Sequence, residues 1–374
     1  MKTVGIICEY NPFHLGHRIQ INDIRKRLGA DVCIVALMSG SFVERGGPAI
    51  LSKEERAKIA LSEGVDLVLE LPFPWSMSGA DRFAAGALAI LEGLGGIDYL
   101  AFGSECGDVS MLSEIATVLK SDEYEERIRT LSAERPELSY ARLREVAYQS
   151  VTGNELLRLP PNDLLGVAYL THMRKIRPLV LKRLPGYSAG VARLAYYNCE
   201  WERLSQMVPE STLATLRLKD NVSTVSVDRA IHAHLRMISK QTFASYAECT
   251  PELAADLKSA SQSRLAVEDI VKAATSKRYT SARVRRGLWH AYLRTPKAAP
   301  MSVPHFTNLL GMDALGREFL RSVAKCSSVA VVTRPSNAMI SEEVTQEYTF
   351  SAMVDEVYCS LNGTLSLKKP PIIK

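Results

Sequence analysis

Two histidines separated by Leu15 and Gly16 stand where an apolar run hands over to a helix, in the stretch Glu9-Tyr10-Asn11-Pro12-Phe13-His14-Leu15-Gly16-His17. Residues 3–8 have the composition of a short buried strand. Asn11-Pro12 turns the chain, because the residue before proline is kept out of the helical region. Gly16 then opens an amphipathic helix with His17 in its first turn. A helix N-terminus offers unpaired N–H groups and partial positive charge, which suits phosphate. Each imidazole adds a directional donor for charge developing on a phosphate, and Gly16 lets a nucleotide approach the backbone. These residue types point to nucleotide chemistry at an α-phosphate, with His14, Gly16 and His17 as catalytic candidates. Two histidines at a helix start also serve as caps or surface residues, so the motif needs context.

Further segments supply candidate walls for such a site. Loop 39–49 is glycine-rich and carries Arg45, which suits an anion. Phe102-Gly103-Ser104-Glu105 ends a strand, and Gly103 offers bare backbone to an adenine or ribose. Asn162, in Pro161-Asn162-Asp163, is a candidate to face a nucleotide or to cap a helix. In Lys182-Arg183-Leu184-Pro185-Gly186-Tyr187-Ser188-Ala189-Gly190-Val191-Ala192-Arg193, the guanidinium groups of Arg183 and Arg193 suit a triphosphate, because they stay charged and bond oxygens bidentately. Ser188 is placed to cap the helix leading to Arg193.

The elements that must position these residues alternate in type. Strands are expected at 3–8, 31–38, 65–71 and 97–102, with helices at 16–28, 53–63 and 80–94. Ser52-Lys53-Glu54-Glu55 reads as a capping box at the start of the second helix. Short apolar strands separated by amphipathic helices imply right-handed βαβ units and a parallel sheet covered on both faces. Ligands of such sheets bind beyond the carboxyl ends of the strands, which is where the unusual segments lie. Residues 108–173 read as helical, a fifth strand is expected near 179–184, and beyond residue 198 the pattern is mainly helical, with a short strand at 328–333. The division expected is 1–197 for a nucleotide-binding unit and 198–374 for a helical one.

The 374 residues are 47% hydrophobic and 23% charged, the balance of a soluble globular protein. No apolar run reaches the roughly 20 residues of a membrane span. The first strand lacks the pattern of a signal peptide. Seven scattered cysteines form no C-x-x-C pair, which argues against a disulfide framework or a zinc site. A cytoplasmic protein is expected, with no membrane and no stable protein partner. The net charge of +5 is mild, so the distribution matters more. Lys272, Lys277, Arg278, Arg283, Arg285, Arg286 and Arg294 cluster on adjoining segments, and Arg283, Arg286 and His290 share a helical face. With Tyr279 and Trp289 nearby, this is a candidate RNA surface, or else a solvated basic helix.

Taken together, the 9–17 stretch, loop 39–49 with its Arg-Gly-x-Pro-Ala core, residues 66–72, Phe102-Gly103-Ser104-Glu105 and Pro161-Asn162 resemble the bacterial tRNA(Met) cytidine acetate ligase family, within the HIGH-type nucleotidyltransferase superfamily. The likeness continues through Lys277-Arg278-Tyr279-Thr280, Arg283 and Arg286 to Pro370-Pro371-Ile372-Ile373. The resemblance implies an α/β fold: a Rossmann-like doubly wound parallel sheet of the HIGH nucleotidyltransferase type, followed by a mainly α-helical C-terminal domain. It implies a ligase that uses ATP with Mg²⁺ to activate acetate as acetyl-adenylate, then acetylates N4 of the wobble cytidine of elongator tRNA(Met). The ATP site it implies comprises Ile7, Cys8, Glu9, Tyr10, Asn11, Pro12, Phe13, His14, Leu15, Gly16, His17, Arg18, Ile19 and Gln20, with Gly103, Asn162 and Arg183. Ser188 and Arg193 join this set as the second phosphate wall, and Lys277, Arg278, Arg283 and Arg286 are the RNA-binding candidates. No metal ligands stand out. Two departures mark the chain: the family's Ser-Ala-Thr-x-Ile-Arg motif has Gly190 in place of its threonine, and the stretch joining Arg183 to it is short. The alternatives are an adenylyltransferase acting on a small phosphorylated metabolite, a paralogue with altered acyl or RNA substrate, and an RNA-binding protein with a decayed site.

Overall fold

Strand β1 (Thr3–Cys8) sends Val4, Ile6 and Cys8 into one core, and β2 (Cys33–Ser39) divides Ile34, Ala36 and Met38 on that face from Cys33, Val35 and Leu37 on the other. This period of two is what a strand buried on both faces requires. The computed structural model describes residues 1–135, 138, 140–154, 159–219, 224–297, 303–334, 341–363 and 370–374; the parts of the expected helical stretches at 136–137, 139, 155–158 and 220–223 lie outside them. A two-stranded hairpin, β3 (Phe42–Val43) with β4 (Gly47–Pro48), forms inside loop 39–49. Three more strands follow, β5 (Leu67–Leu71), β6 (Tyr99–Ser104) and β7 (Arg177–Lys182). The five strands run parallel in the order β5-β2-β1-β6-β7. The expected doubly wound, Rossmann-like parallel sheet is therefore present.

The sheet does not stop there. Strand β8 (Phe306–Met312) lies antiparallel against β5, and β9 (Ala330–Val332) and β10 (Ile372–Ile373) both pair parallel with β8. The expectation of a mainly helical chain beyond residue 198 with one short strand is corrected by β8 and β10. Their signal is weak for a physical reason. In β8, Thr307 and Asn308 interrupt the apolar run because they bond into the neighbouring strand: Thr307 Oγ1 donates to the Glu70 carbonyl and Asn308 Nδ2 to Glu70 Oε2, each at 2.7 Å.

Helices α1 (Leu15–Leu28), α2 (Lys53–Ser62) and α3 (Ala80–Leu94) connect the strands. The capping box of α2 is formed as read, with Ser52 N–H donating to Glu55 Oε2 at 2.7 Å and Glu55 N–H to Ser52 Oγ at 3.2 Å. Helices α4 (Val109–Leu119), α5 (Asp122–Glu134), α6 (Tyr140–Thr152), α7 (Pro161–His172) and α8 (Ala189–Tyr197) follow. One face of the sheet carries α1, α2 and α8; the other carries α3, α4 and α7. A third core belongs to the later helices. There Leu253, Ile270, Val284, Leu288 and Trp289 pack with Phe42 and Phe73, so the helical portion seats on the β3–β4 hairpin. No described helix is long and apolar enough to cross a membrane.

Two buried polar anchors join these parts. Lys53 Nζ lies between Glu70 Oε2 (2.8 Å) and Asp355 Oδ2 (2.5 Å), and Ser41 Oγ donates to Asp355 at 2.6 Å, so α2, β5, the hairpin loop and the helix Glu342–Leu361 share one network. Burial alone would lower the lysine's pKa, but Asp355 and Glu70 outweigh it and raise it.

Arg56 has no exposed surface. Its guanidinium donates to the carbonyls of Leu51 (3.1 Å), Glu9 (2.7 Å), Ser39 (2.8 Å) and Gly40 (2.6 Å), joining the chain just past β1 to the chain at the end of β2. Arg56→Met should cost about 3–5 kcal/mol, since it leaves buried acceptors unpaired. Arg56→Lys should not restore the loss, because a point cation cannot reproduce the planar fork. Urea unfolding is the measurement, and a loss below about 1 kcal/mol for the methionine variant would show these acceptors finding other partners.

Candidate active site

Between β1 and β6 the chain order reverses direction across the sheet, which is where doubly wound folds open a crevice. A cavity of about 790 Å³ lies there, lined from β1 by Ile7 and Cys8 and from β6 by Phe102 and Gly103. The chain leaves β1 through Glu9 and through Tyr10, whose φ of 47° is unusual for an aromatic residue, and passes a cis Asn11–Pro12 bond before His14 caps α1 in an extended conformation.

His14 and His17 stack face to face, ring centroids 3.7 Å apart and planes 14° from parallel. The His14 backbone N–H donates to His17 Nδ1 at 3.1 Å, so the proton of a neutral His17 ring resides on Nε2. Tyr10 meets His17 edge-on at 4.9 Å and Phe13 holds it at 5.3 Å. Burial, then Arg183, pushes His14 down to about 4; burial, His14 and Arg183 hold His17 well below the ordinary imidazole range. Both rings are thus neutral at physiological pH. Among the described residues the His14 Nδ1 is buried without a hydrogen-bond partner, an unmet polar group of the kind a ligand satisfies. Gly16 has a more local reason than nucleotide approach: a Cβ there would stand 2.9 Å from His14 Cε1 and 3.0 Å from Tyr187 Cβ, so the glycine makes room for the histidine itself.

Of the expected nucleotide set, Ile7, Cys8, Glu9, Tyr10, Asn11, His14, Gly16, His17, Ile19, Gln20, Gly103, Asn162, Arg183, Ser188 and Arg193 line the cavity. Pro12 and Phe13 are buried behind this wall. The Leu15 N–H donates to the Met207 carbonyl at 2.9 Å, and Arg18 pairs with Glu63 at 2.6 Å. Glu9 Oε1 accepts the Glu44 N–H at 2.8 Å, which ties β1 to the hairpin loop. Asn11 Oδ1 accepts the Ile50 N–H at 2.9 Å and its carbonyl accepts from Arg193 Nη1 at 2.6 Å.

The opposite wall is organised by Glu105, which the sequence reading places in a motif without a role. Its Oε1 accepts from the Asn162 side chain and, at 3.3 Å, from Arg183 Nη1; its Oε2 accepts the Asp163 N–H at 3.1 Å. In return Asp163 Oδ1 accepts the Glu105 N–H at 2.8 Å. Asn162 therefore does not cap α7, which has Pro160 at that position and Pro161 at its first turn. The Arg183 stem lies over Gly103, and its Nη2 donates to the Tyr187 carbonyl at 3.1 Å. Ser188 occupies the N-cap position of α8, but its hydroxyl makes no capping bond. At Gly190 a Cβ would meet nothing closer than Ser188 Oγ at 3.6 Å, so the wall is open there. Arg45 also lines the cavity and is 63% exposed.

The basic cluster divides. Lys277 and Arg278 are exposed, just before the helix Ser281–Tyr292, and Arg283 is half-buried beside the Tyr279 ring at 5.7 Å. Arg286 is buried, with Nε on Glu248 Oε2 at 2.8 Å and Nη1 on the Glu44 carbonyl at 3.2 Å. His290, on the same face, is buried between Thr295 and the Met77 carbonyl. The expectation that Tyr279 and Trp289 present rings to RNA is corrected: both belong to the third core, at 4% and 3% exposure.

Comparison with known proteins matches this architecture along its whole length. A family model described as HIGH Nucleotidyl Transferase covers residues 1–369. The tRNA(Met) cytidine acetate ligase of Acetivibrio thermocellus is 31% identical over 90% of this chain and 89% of its own. That of Caldanaerobacter subterraneus subsp. tengcongensis is 30% identical over 100% of both chains. The crystal structure of Thermotoga maritima TmcAL bound with alpha-thio ATP superposes with a TM-score of 0.87 at 25% identity, covering 100% of this chain and 99% of that one. The chain belongs to the tRNA(Met) cytidine acetate ligase family of HIGH nucleotidyl transferases.

Proposed function

We propose that this protein is an ATP-dependent ligase that activates acetate as acetyl-adenylate and transfers the acetyl group to N4 of the wobble cytidine of elongator tRNA(Met). The observation that carries the chemistry is the stacked, neutral His14–His17 pair at the N-terminus of α1. An acid carboxylate oxygen attacks the α-phosphorus of ATP, the bond to the bridging oxygen breaks, and pyrophosphate leaves with that electron pair. The step needs no proton transfer. Positioning and neutralisation of phosphate charge do the catalytic work, and neutral imidazoles supply fixed donors without requiring a proton to be bound first. Arg183 and Arg193 line the same cavity and in this reading are the cationic groups for the phosphates, with Glu105 holding Asn162 and Arg183. The cytidine N4 then attacks the acetyl carbonyl, AMP leaves, and the nitrogen loses a proton. Mg²⁺ arrives in this reading with the triphosphate; the described residues bring no three His, Cys, Asp or Glu side chains together to hold it by themselves.

In the same reading residues 1–197 carry the ATP chemistry and 198–374 present the RNA, with Lys277 and Arg278 as exposed phosphate contacts and Arg283 beside them. Arg286 acts differently. It fixes Glu44, and through the Glu44 N–H it fixes Glu9, so it links the helical portion to the cavity. The decisive assay is pyrophosphate release from ATP with acetate, run beside detection of acetylated cytidine in digested tRNA. Release without acid dependence would favour a different acceptor at the same α-phosphate.

His17→Ala should slow acetate-dependent pyrophosphate release by about 10²–10³ while changing ATP affinity only a few-fold, the signature of a donor used in the transition state. A near-normal rate would remove the histidine pair from the mechanism. In the free protein the His14 and His17 Cε1–H resonances should stay in place from pH 8 to 5.5, with His14 titrating only near about 4. A midpoint near the unperturbed value of roughly 6.5 for either ring would mean that the pair is solvated and chargeable. Replacing Lys277 and Arg278 together with alanine should weaken tRNA modification and lessen its salt dependence, because fewer counterions are released, with pyrophosphate release intact. Unchanged tRNA modification would make this face merely solvated.

A further inference from the structure

The cavity has an apolar floor that neither the histidine pair nor the basic wall accounts for. Ile7 of β1, Phe83 of α3, Phe102 of β6, and Leu165 and Tyr169 of α7 form it. Asn162, Leu165 and Tyr169 follow i, i+3, i+7 spacing, so one face of α7 runs from the polar wall down to this floor. Phe83, Phe102 and Tyr169 are 3%, 6% and 3% exposed. The floor is also braced. A Cβ at Gly166 would stand 2.8 Å from Phe102 Cε2, so the glycine admits that ring against the helix, and Phe102 meets Tyr169 edge to face at 5.6 Å.

Tyr169 is the polar group of this floor. Its hydroxyl bonds to no other described residue, and unlike the Tyr10 hydroxyl it is not sealed away without a partner: the side chain lines the cavity, where a ligand can reach it. It shares the cavity lining with Cys8 and Glu9, at the carboxyl end of β1 and beside the segment leading to His14, and with Glu44. Burial keeps the Cys8 thiol neutral, so it sets no negative charge at this end of the lining. A triphosphate cannot be desolvated against such a floor, whereas a short hydrocarbon chain ending in one carboxylate matches it at both ends.

We infer that this recess is the acyl subsite: Ile7, Phe83, Phe102 and Leu165 enclose the hydrocarbon end of a short aliphatic carboxylic acid, and the Tyr169 hydroxyl donates to its carboxylate while the Tyr169 ring limits chain length. The inference rests on the acid-activating reading above. Tyr169 gives up no proton; it orients the acid while one carboxylate oxygen forms the bond to the α-phosphorus and pyrophosphate departs.

The test is acid-dependent pyrophosphate release with acetate, propionate, butyrate and hexanoate, in the parent protein and in Tyr169→Phe and Tyr169→Leu. Tyr169→Phe keeps the ring and should raise KM for acetate about tenfold or more, leaving ATP affinity and the order of preference among acids nearly unchanged. Tyr169→Leu should move the optimum to a longer acid, with the butyrate-to-acetate ratio of kcat/KM rising at least about tenfold. An unchanged acid preference in the leucine variant overturns the assignment. Should that variant fail to fold, the phenylalanine variant decides alone, and an acetate KM within twofold of the parent's overturns it. A parent protein that releases pyrophosphate with none of the four acids overturns the acid-activating reading itself, and the subsite with it.

Discussion

A single buried cation holds the carboxyl end of this sheet in shape. Arg56 donates to four backbone carbonyl oxygens, and the charges of Glu54 and Glu9 also favour its cation. Burial lowers its pKa, the direction expected for a guanidinium removed from water, but not enough to strip the proton from a group this basic. Glu9, Ser39 and Gly40 are the points where the chain leaves β1 and β2, and such exits otherwise have little regular hydrogen bonding. Fixing them sets the path through Tyr10 and the Asn11–Pro12 turn, and with it the register of His14 and His17. The geometry of the histidine pair is thus supported from behind, by a residue that does not line the cavity.

From that point a chain of polar contacts runs outward. Glu9 takes the Glu44 N–H, and Glu44 in turn receives Arg286 from the later helices. Arg193 closes the other side by bonding the Asn11 carbonyl. Arg56 and Arg286 brace one wall and Glu105, with Asn162, Asp163 and Arg183, the other, and the Arg193–Asn11 bond ties the two together. Among the described residues, the His14 Nδ1 is a buried lining atom without a protein partner, and it lies near the Arg183 cation. The neutrality of the histidine pair follows from the same arrangement: Arg183 disfavours a second positive charge, and burial disfavours any.

What the residues disclose locally is legible without coordinates. The first strand, the α2 capping box and the α3 face are all short-range patterns, and they are found where the spacing puts them. The histidine motif is legible for the same reason. Arg56 and Glu105 are not, because their roles depend on carbonyls and amides that the fold brings together from distant segments; Arg56 looks like any polar residue of a helix beginning Lys-Glu-Glu-Arg. The basic cluster shows the converse limit. Spacing correctly places Arg283, Arg286 and His290 on one side of a helix, but says nothing about whether that side meets water or Glu44. Tyr279 and Trp289 are aromatic in either setting, and here they fill a core.

The antiparallel pairing of β8 with β5 has a consequence for the chain as it is made. Leu67 finds its partner at Met312, so the outer edge of β5 waits for residues synthesised far later. At typical elongation rates that interval is on the order of ten to fifty seconds. During it, β1, β2, β5 and β6 can already form a parallel sheet whose β5 edge displays unpaired N–H and C=O groups beside a wholly apolar strand face, the arrangement most prone to recruit another chain. The nascent protein thus carries a temporary adhesive margin that only its own distal segment removes, and guarding that margin falls to whatever attends the ribosome exit.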